Sequence, residues 1–224
     1  MSTPFSPTSF DHVALWVAER DPLADFVCEH LGMHVIERTD TFTLVGVDAK
    51  LGKLTLFDAE GPRAAGALER VLLRVSDLDR ALAALPVDLA VERDGAAARF
   101  EAPSGLPLGL VQAAGTEYDL DHVVLRLPQA DAAAGALERM GFRREGARLA
   151  VADRYVQLVD GDPEQPELPL LNHLALLVDS AQDVQQGAEQ HGFEVDDVKD
   201  APNTFAVFLR GPAGVRIEYV EHKP

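Results

Sequence analysis

The sequence predicts an α+β fold of four successive β-α-β-β-β modules, and three observations carry that reading. Four segments open alike: Phe10-Asp11-His12-Val13-Ala14-Leu15, Leu68-Glu69-Arg70-Val71-Leu72-Leu73, Leu120-Asp121-His122-Val123-Val124-Leu125 and Leu171-Asn172-His173-Leu174-Ala175-Leu176. Their third residues stand at 12, 70, 122 and 173, a period of roughly fifty residues, which marks a repeat architecture. Each opening is followed by a stretch with helical spacing of its apolar residues, and then by three short extended segments.

Taken in order, the openings are short, apolar and rich in β-branched residues, and read as strands. The stretches Pro22 to Leu31, Asp77 to Leu85, Asp131 to Met140 and Ala181 to His191 read as helices. Asp77 and Asp131 are candidate N-caps, since a short carboxylate can accept from the free N–H groups of a first turn. Three helices end in glycine and a large apolar residue: Gly32-Met33, Gly141-Phe142 and Gly192-Phe193. Glycine there permits the left-handed conformation that stops a helix. The second helix uses Leu85-Pro86 instead. In the last module the closing strands read Glu194 to Val198, Thr204 to Arg210 and Val215 to Val220, with Gly211-Pro212-Ala213-Gly214 as a turn. Ala113 to Glu117 reads as a short linker, and Tyr118 begins the second half.

The 224-residue chain is 47% hydrophobic and 25% charged, the composition of a globular protein rather than a disordered one. A net charge of −17 without clustered Lys and Arg disfavours nucleic acid and anionic membrane surfaces as partners. No apolar run reaches the roughly 20 residues needed to span a bilayer. The start, MSTPFSPTSF, lacks the pattern of a signal peptide, and the single Cys28 forms no internal disulfide, so the expected setting is cytoplasmic.

The modules, the Asp-His strand opening, the helix ending in Gly-Phe and the closing Gly-Pro-Ala-Gly-Val-Arg-Ile-Glu-Tyr together resemble the vicinal-oxygen-chelate superfamily of glyoxalase I, bleomycin-resistance proteins and type I extradiol dioxygenases. The resemblance spans nearly the whole chain. It implies two pairs of modules, each a curved mixed sheet around a cavity with helices outside. The chain then divides into an N-terminal pair, residues 1–116, and a C-terminal pair, residues 117–224. It further implies that the third residue of a module's first strand and one residue of its last strand face the cavity. In the C-terminal pair these slots hold His122, Gln157, His173 and Glu218; in the N-terminal pair they hold His12, Thr55, Arg70 and Gly109. Two imidazoles and a carboxylate form a 2-His-1-carboxylate site with open positions. His122, His173 and Glu218 are therefore the expected metal ligands, and His12 a structural histidine in a metal-free half. Iron(II) is the first choice through the resemblance; manganese, zinc, nickel and cobalt also accept such ligands.

In the dioxygenases this chain resembles, a histidine late in the third module and a tyrosine in the fourth handle protons. Their slots here fall at or near Gln157 and at Phe208. Glutamine does not titrate and phenylalanine has no hydroxyl, so Gln157 is retained only as a polar group at the catalytic slot. By strand alternation Arg126 shares the face of His122 and Arg216 that of Glu218, which makes Phe208, Arg126 and Arg216 candidate substrate contacts. Asp121 and Asn172 alternate to the opposite face. The leading function is an extradiol-type oxidoreductase on a catechol-like substrate. Its rivals are a glyoxalase-like isomerase, lyase or hydrolase and a non-catalytic small-molecule binder, the last disfavoured by an aromatic content of 6%. A small-molecule substrate is the expected partner, with a homo-oligomer implied by the resemblance.

Overall fold

The computed structural model describes residues 5–49 and 53–223. The first module comprises β1 (Ser9–Val17), α1 (Arg20–His30), β2 (His34–Arg38), β3 (Phe42–Gly46) and β4 (Lys53–Asp58). The second comprises β5 (Leu68–Val75), α2 (Leu78–Ala83), β6 (Glu92–Asp94), β7 (Ala97–Ala102) and β8 (Leu106–Gln112). The third runs through β9 (Leu120–Leu127), α3 (Ala130–Arg139), β10 (Arg143–Glu145), β11 (Arg148–Val151) and β12 (Arg154–Asp160). The fourth runs through β13 (Leu171–Leu177), α4 (Ala181–His191), β14 (Val195–Asp200), β15 (Thr204–Arg210) and β16 (Arg216–His222). The four expected modules are all present. No helix of the described residues is long and apolar enough to cross a membrane.

Helix ends follow their capping chemistry. Asp77 accepts from Arg80 N–H at 3.0 Å and Ser180 from Asp183 N–H, while Gly192 closes α4 with φ of +73°. Asp131 is not the cap of α3. That helix starts one residue earlier, after Gln129 in the left-handed region, and its Ala130 N–H is met by the Asp160 carboxylate at 2.8 Å. A cap supplied from the end of β12, thirty residues away, is invisible to local pattern.

Two eight-stranded mixed sheets result, in orders β14-β15-β16-β13-β1-β4-β3-β2 and β10-β11-β12-β9-β5-β8-β7-β6. Within each module the first strand lies parallel to the last, and at the centre of each sheet two first strands meet antiparallel: β1 with β13, and β5 with β9. Modules one and four therefore share the first sheet, and modules two and three the second. This corrects the division into pairs at residues 1–116 and 117–224. Residues 59–67 and 161–170 carry the chain from one sheet to the other and back, and they lie against each other, Leu170 N–H donating to Ala64 C=O at 2.8 Å. Gly66, with φ of +61°, sits where a Cβ would come within 2.9 Å of Pro169, so the crossing is closely packed. One apolar core joins both sheets and their helices. The fully buried Tyr219 on β16 donates its hydroxyl to the Met140 carbonyl at the end of α3, at 2.6 Å.

Candidate metal centre

The fourth residue of β1, the third of β13 and a residue of β16 project onto one face of the first sheet, and their donor atoms converge. His12, His173 and Glu218 offer ligand atoms within 4.8 Å of one another. His173 Nε2 lies 2.9 Å and His12 Nε2 3.3 Å from Glu218 Oε2, and the two Nε2 atoms are 3.1 Å apart. His173 and Glu218 are buried; His12 is partly so.

The tautomers follow from the surrounding network. Arg216 Nη1 donates to Asn172 Oδ1 at 3.0 Å, which fixes that atom as an acceptor, so His173 must give its Nδ1–H to the same oxygen at 3.0 Å. Asp11 Oδ2 likewise takes the Nδ1–H of His12 at 2.8 Å. Both Nε2 lone pairs thus face each other and the Glu218 carboxylate, whose buried Oε2 has no hydrogen-bond donor of its own. Such a meeting of lone pairs repels unless a cation sits among them. The residues present therefore fit a divalent metal.

The charge states agree. Burial pushes the His173 pKa down, with the His12 and Arg216 charges adding to that, and outweighs the pull of Glu218. Burial would raise the Glu218 carboxyl, but the imidazoles beside it, His173 at 2.9 Å and then His12, hold it below the usual range. Asp11 behaves similarly: burial opposes ionisation, while hydrogen bonds from His12 and His222 and the charges of His12 and Lys53 hold it well below the ordinary carboxylate value. Neutral imidazole with ionised carboxylate is the deprotonated set a metal requires.

Strict strand alternation had sent the residues preceding the histidines to the far face, and bulges explain why they are not there. The β1/β13 register jumps between Phe10 and His12 and between His173 and Leu171, leaving Asp11 and Asn172 unpaired. Asp121 and Glu69 are skipped in the same way between β9 and β5. A bulged residue re-aims its side chain, a device common beside active sites. Each Asx is thereby turned onto the Nδ1 of the next residue.

His122 belongs to the other sheet and is not a member of the donor cluster. Its Nδ1 meets Asp121 at 2.6 Å and its ring stacks on Tyr155 at 4.4 Å. Gln157 also lies in the second sheet, opposite Val124, so it is not at the catalytic slot. The matching position beside the trio, opposite Ala14 on β4, is Thr55. Arg126 is in the second sheet as well, paired to Glu69 at 2.8 Å. Arg216 is near the trio but committed: its Nε meets Asp196 at 2.6 Å, its Nη1 holds Asn172, and its guanidinium lies 4.6 Å over the Phe208 ring. It braces His173 rather than standing free for substrate. Phe208 does stand at the site, edge-on to the His173 ring at 5.1 Å. His12, Asp11 and Lys53 were not among the expected functional residues. The Asp-His opening shared by residues 11–12 and 121–122 was a signal for the first two.

Phe57, at 6.4 Å from His173, continues through Trp16 and Phe42 as an aromatic wall. A cavity of about 390 Å³ opens beside it, under residues 163–169. It touches the trio's supports, Asn172 and Arg216, and not the three donors themselves.

The family model described as Glyoxalase/Bleomycin resistance protein/Dioxygenase superfamily matches residues 9–219. The chain belongs to that superfamily. Glyoxalase I from Zea mays aligns with a TM-score of 0.77 at 16% identity, over 95% of this chain and 92% of its own. A protein of Bacillus subtilis subsp. subtilis str. 168, described only provisionally as a dioxygenase, aligns at 0.74 and 19% identity, over 98% and 86%. The cppA protein of Streptococcus pneumoniae TIGR4 aligns at 0.65 and 15%, over 96% and 98%. At these identities the likeness is one of fold. Comparison with curated protein sequences gave no match.

Proposed function

We propose that this superfamily member is a metal-dependent oxygenase of the extradiol type, acting on a planar aromatic substrate with two adjacent oxygens. The observation that carries the reading is the donor set: two imidazoles and one carboxylate, with Thr55 rather than a fourth histidine or acid at the remaining slot. His12, His173 and Glu218 would hold a divalent ion with positions left open for substrate and dioxygen, and iron(II) is the metal that such a donor set commonly serves. When bound, the ion would supply Lewis acidity and, for iron, one-electron chemistry. Manganese, zinc, nickel and cobalt accept the same ligands and would redirect the reaction.

The protein's own contribution is positional. Asp11 and Asn172 hold the two imidazoles in the ligating tautomer. Phe208 and Phe57 flank His173 with apolar ring surface, suited to one flat substrate and to excluding water. Thr55 and Phe208 bring no titrating group, so proton transfer falls to side chains around Asp11. Among these His222 is half exposed, with its Nε2 3.3 Å from Asp11 Oδ1.

Oxygen uptake by anaerobically iron-loaded protein, over a panel of catechols, tests the proposal. Uptake with at least one catechol, lost in His173→Ala, is expected. A metal-replete protein that consumes no oxygen with any catechol overturns it in favour of a metal-dependent isomerase, lyase or hydrolase.

A further inference from the structure

Among the described residues the second sheet presents no cluster of metal donors, yet its corresponding face is chemically organised. By register, Arg70 occupies the place that His173 takes in the first sheet, His122 that of His12, Gly109 that of Glu218 and Gln157 that of Thr55. Exchanging a histidine for arginine and the carboxylate for glycine turns a cation site inside out. A Cβ at Gly109 would sit 3.1 Å from Arg70 Cδ, so the arginine stem lies across the glycine, on the side where Glu218 projects in the other sheet.

Arg148, Gln157, Val124 and Arg70 form one cross-strand row on β11, β12, β9 and β5. Strands stand about 4.8 Å apart, so Gln157 and Arg70 flank Val124 from either side at about 10 Å, within reach of a common small ligand. Other arginines on this sheet are neutralised internally: Arg126 by Glu69, Arg99 by Glu92 and Arg74 by Asp121 and Asp153. Arg70 has no hydrogen-bond or ion-pair partner among the described residues, and its Nε is buried. Arg148 lies 4.4 Å over the Tyr155 ring, with no carboxylate of the described residues in ion-pair range. An unpaired, half-buried guanidinium is costly, and in a chain of net charge −17 acceptors are not scarce.

We propose that this face binds a small oxyanion, the carboxylate or phosphate of a metabolite, with Arg70 as the anchor and Gln157 and Arg148 as flanking donors. The planar guanidinium fork matches two oxygens of either group. The site is separate from the metal centre and does not depend on the reaction performed there.

Titration of the full-length protein with inorganic phosphate and, separately, with acetate, followed by amide chemical shifts, tests this. Saturable shifts are expected at residues 70, 109, 124 and 157 with at least one probe, and the probe that binds identifies the source of the oxyanion. Arg70→Met keeps the apolar stem over Gly109 and removes the fork; it should weaken binding by about tenfold or more. If that variant does not fold, Arg70→Lys decides the matter, since it keeps the charge, loses the fork and should bind several-fold more weakly. The proposal is overturned if neither probe gives saturable shifts at these residues, or if the folded variant binds as the wild type does.

Discussion

Whether an imidazole can ligate a metal depends on which nitrogen keeps the proton, and here neighbouring residues decide it. Asn172 receives the Nδ1–H of His173 while its own orientation is fixed by Arg216, itself held by Asp196. The chain of contacts Asp196–Arg216–Asn172–His173 therefore ends in a lone pair directed at Glu218. Asn172→Ala removes the acceptor and releases the ring. Metal affinity should fall by about 10–100-fold, the usual loss when a ligand histidine's outer partner is removed, and isothermal titration with the divalent metal measures it. The purified variant should still melt cooperatively. At this scale the sequence was half legible. Residue identities at the slots were readable from the repeat, but the roles of Asp11, Asn172 and Arg216 were not, because each depends on a bulge or a contact that alternation does not describe.

At the scale of elements, capping gives the sharpest contrast. Asp77 and Asp131 look alike in sequence, each opening an amphipathic stretch. Only Asp77 accepts from its helix, while α3 is capped by Asp160 from a distant strand end. Asp77→Ala and Asp160→Ala should each cost about 1 kcal/mol, lowering the melting temperature by about 2–4 °C in a chain of this length. Asp131, whose carboxylate is exposed and meets Arg144 outside the helix, should leave the melting temperature unchanged when replaced by alanine. Thermal unfolding of the three variants checks both halves of that statement. Helices and strands were legible because local periodicity and glycine stops fix them; ends supported from elsewhere in the chain were not.

At the scale of the whole molecule the decisive fact is which modules share a sheet. Pairing modules three and four, as the resemblance implied, completed His173 and Glu218 with His122 and left His12 a structural residue. His173 and Glu218 can be completed by His12 if module four pairs with module one, or by His122 if it pairs with module three, and both histidines follow an aspartate on a first strand. Composition, period and local motif are the same for both. The difference lies in the crossovers at residues 59–67 and 161–170, which pack on each other and place β1 against β13. The candidate donor set is thereby drawn from the two ends of the chain, with the middle modules forming the other sheet. Metal content of His12→Ala and His122→Ala, each measured beside the wild type after identical loading, distinguishes the two arrangements. His12→Ala should lose most of its metal, because one neutral donor and a carboxylate remain where three donors met. His122→Ala should retain it, since that ring contacts Asp121 and Tyr155 in the opposite sheet. The reverse result would mean that modules three and four share the sheet and that the centre lies within residues 117–224.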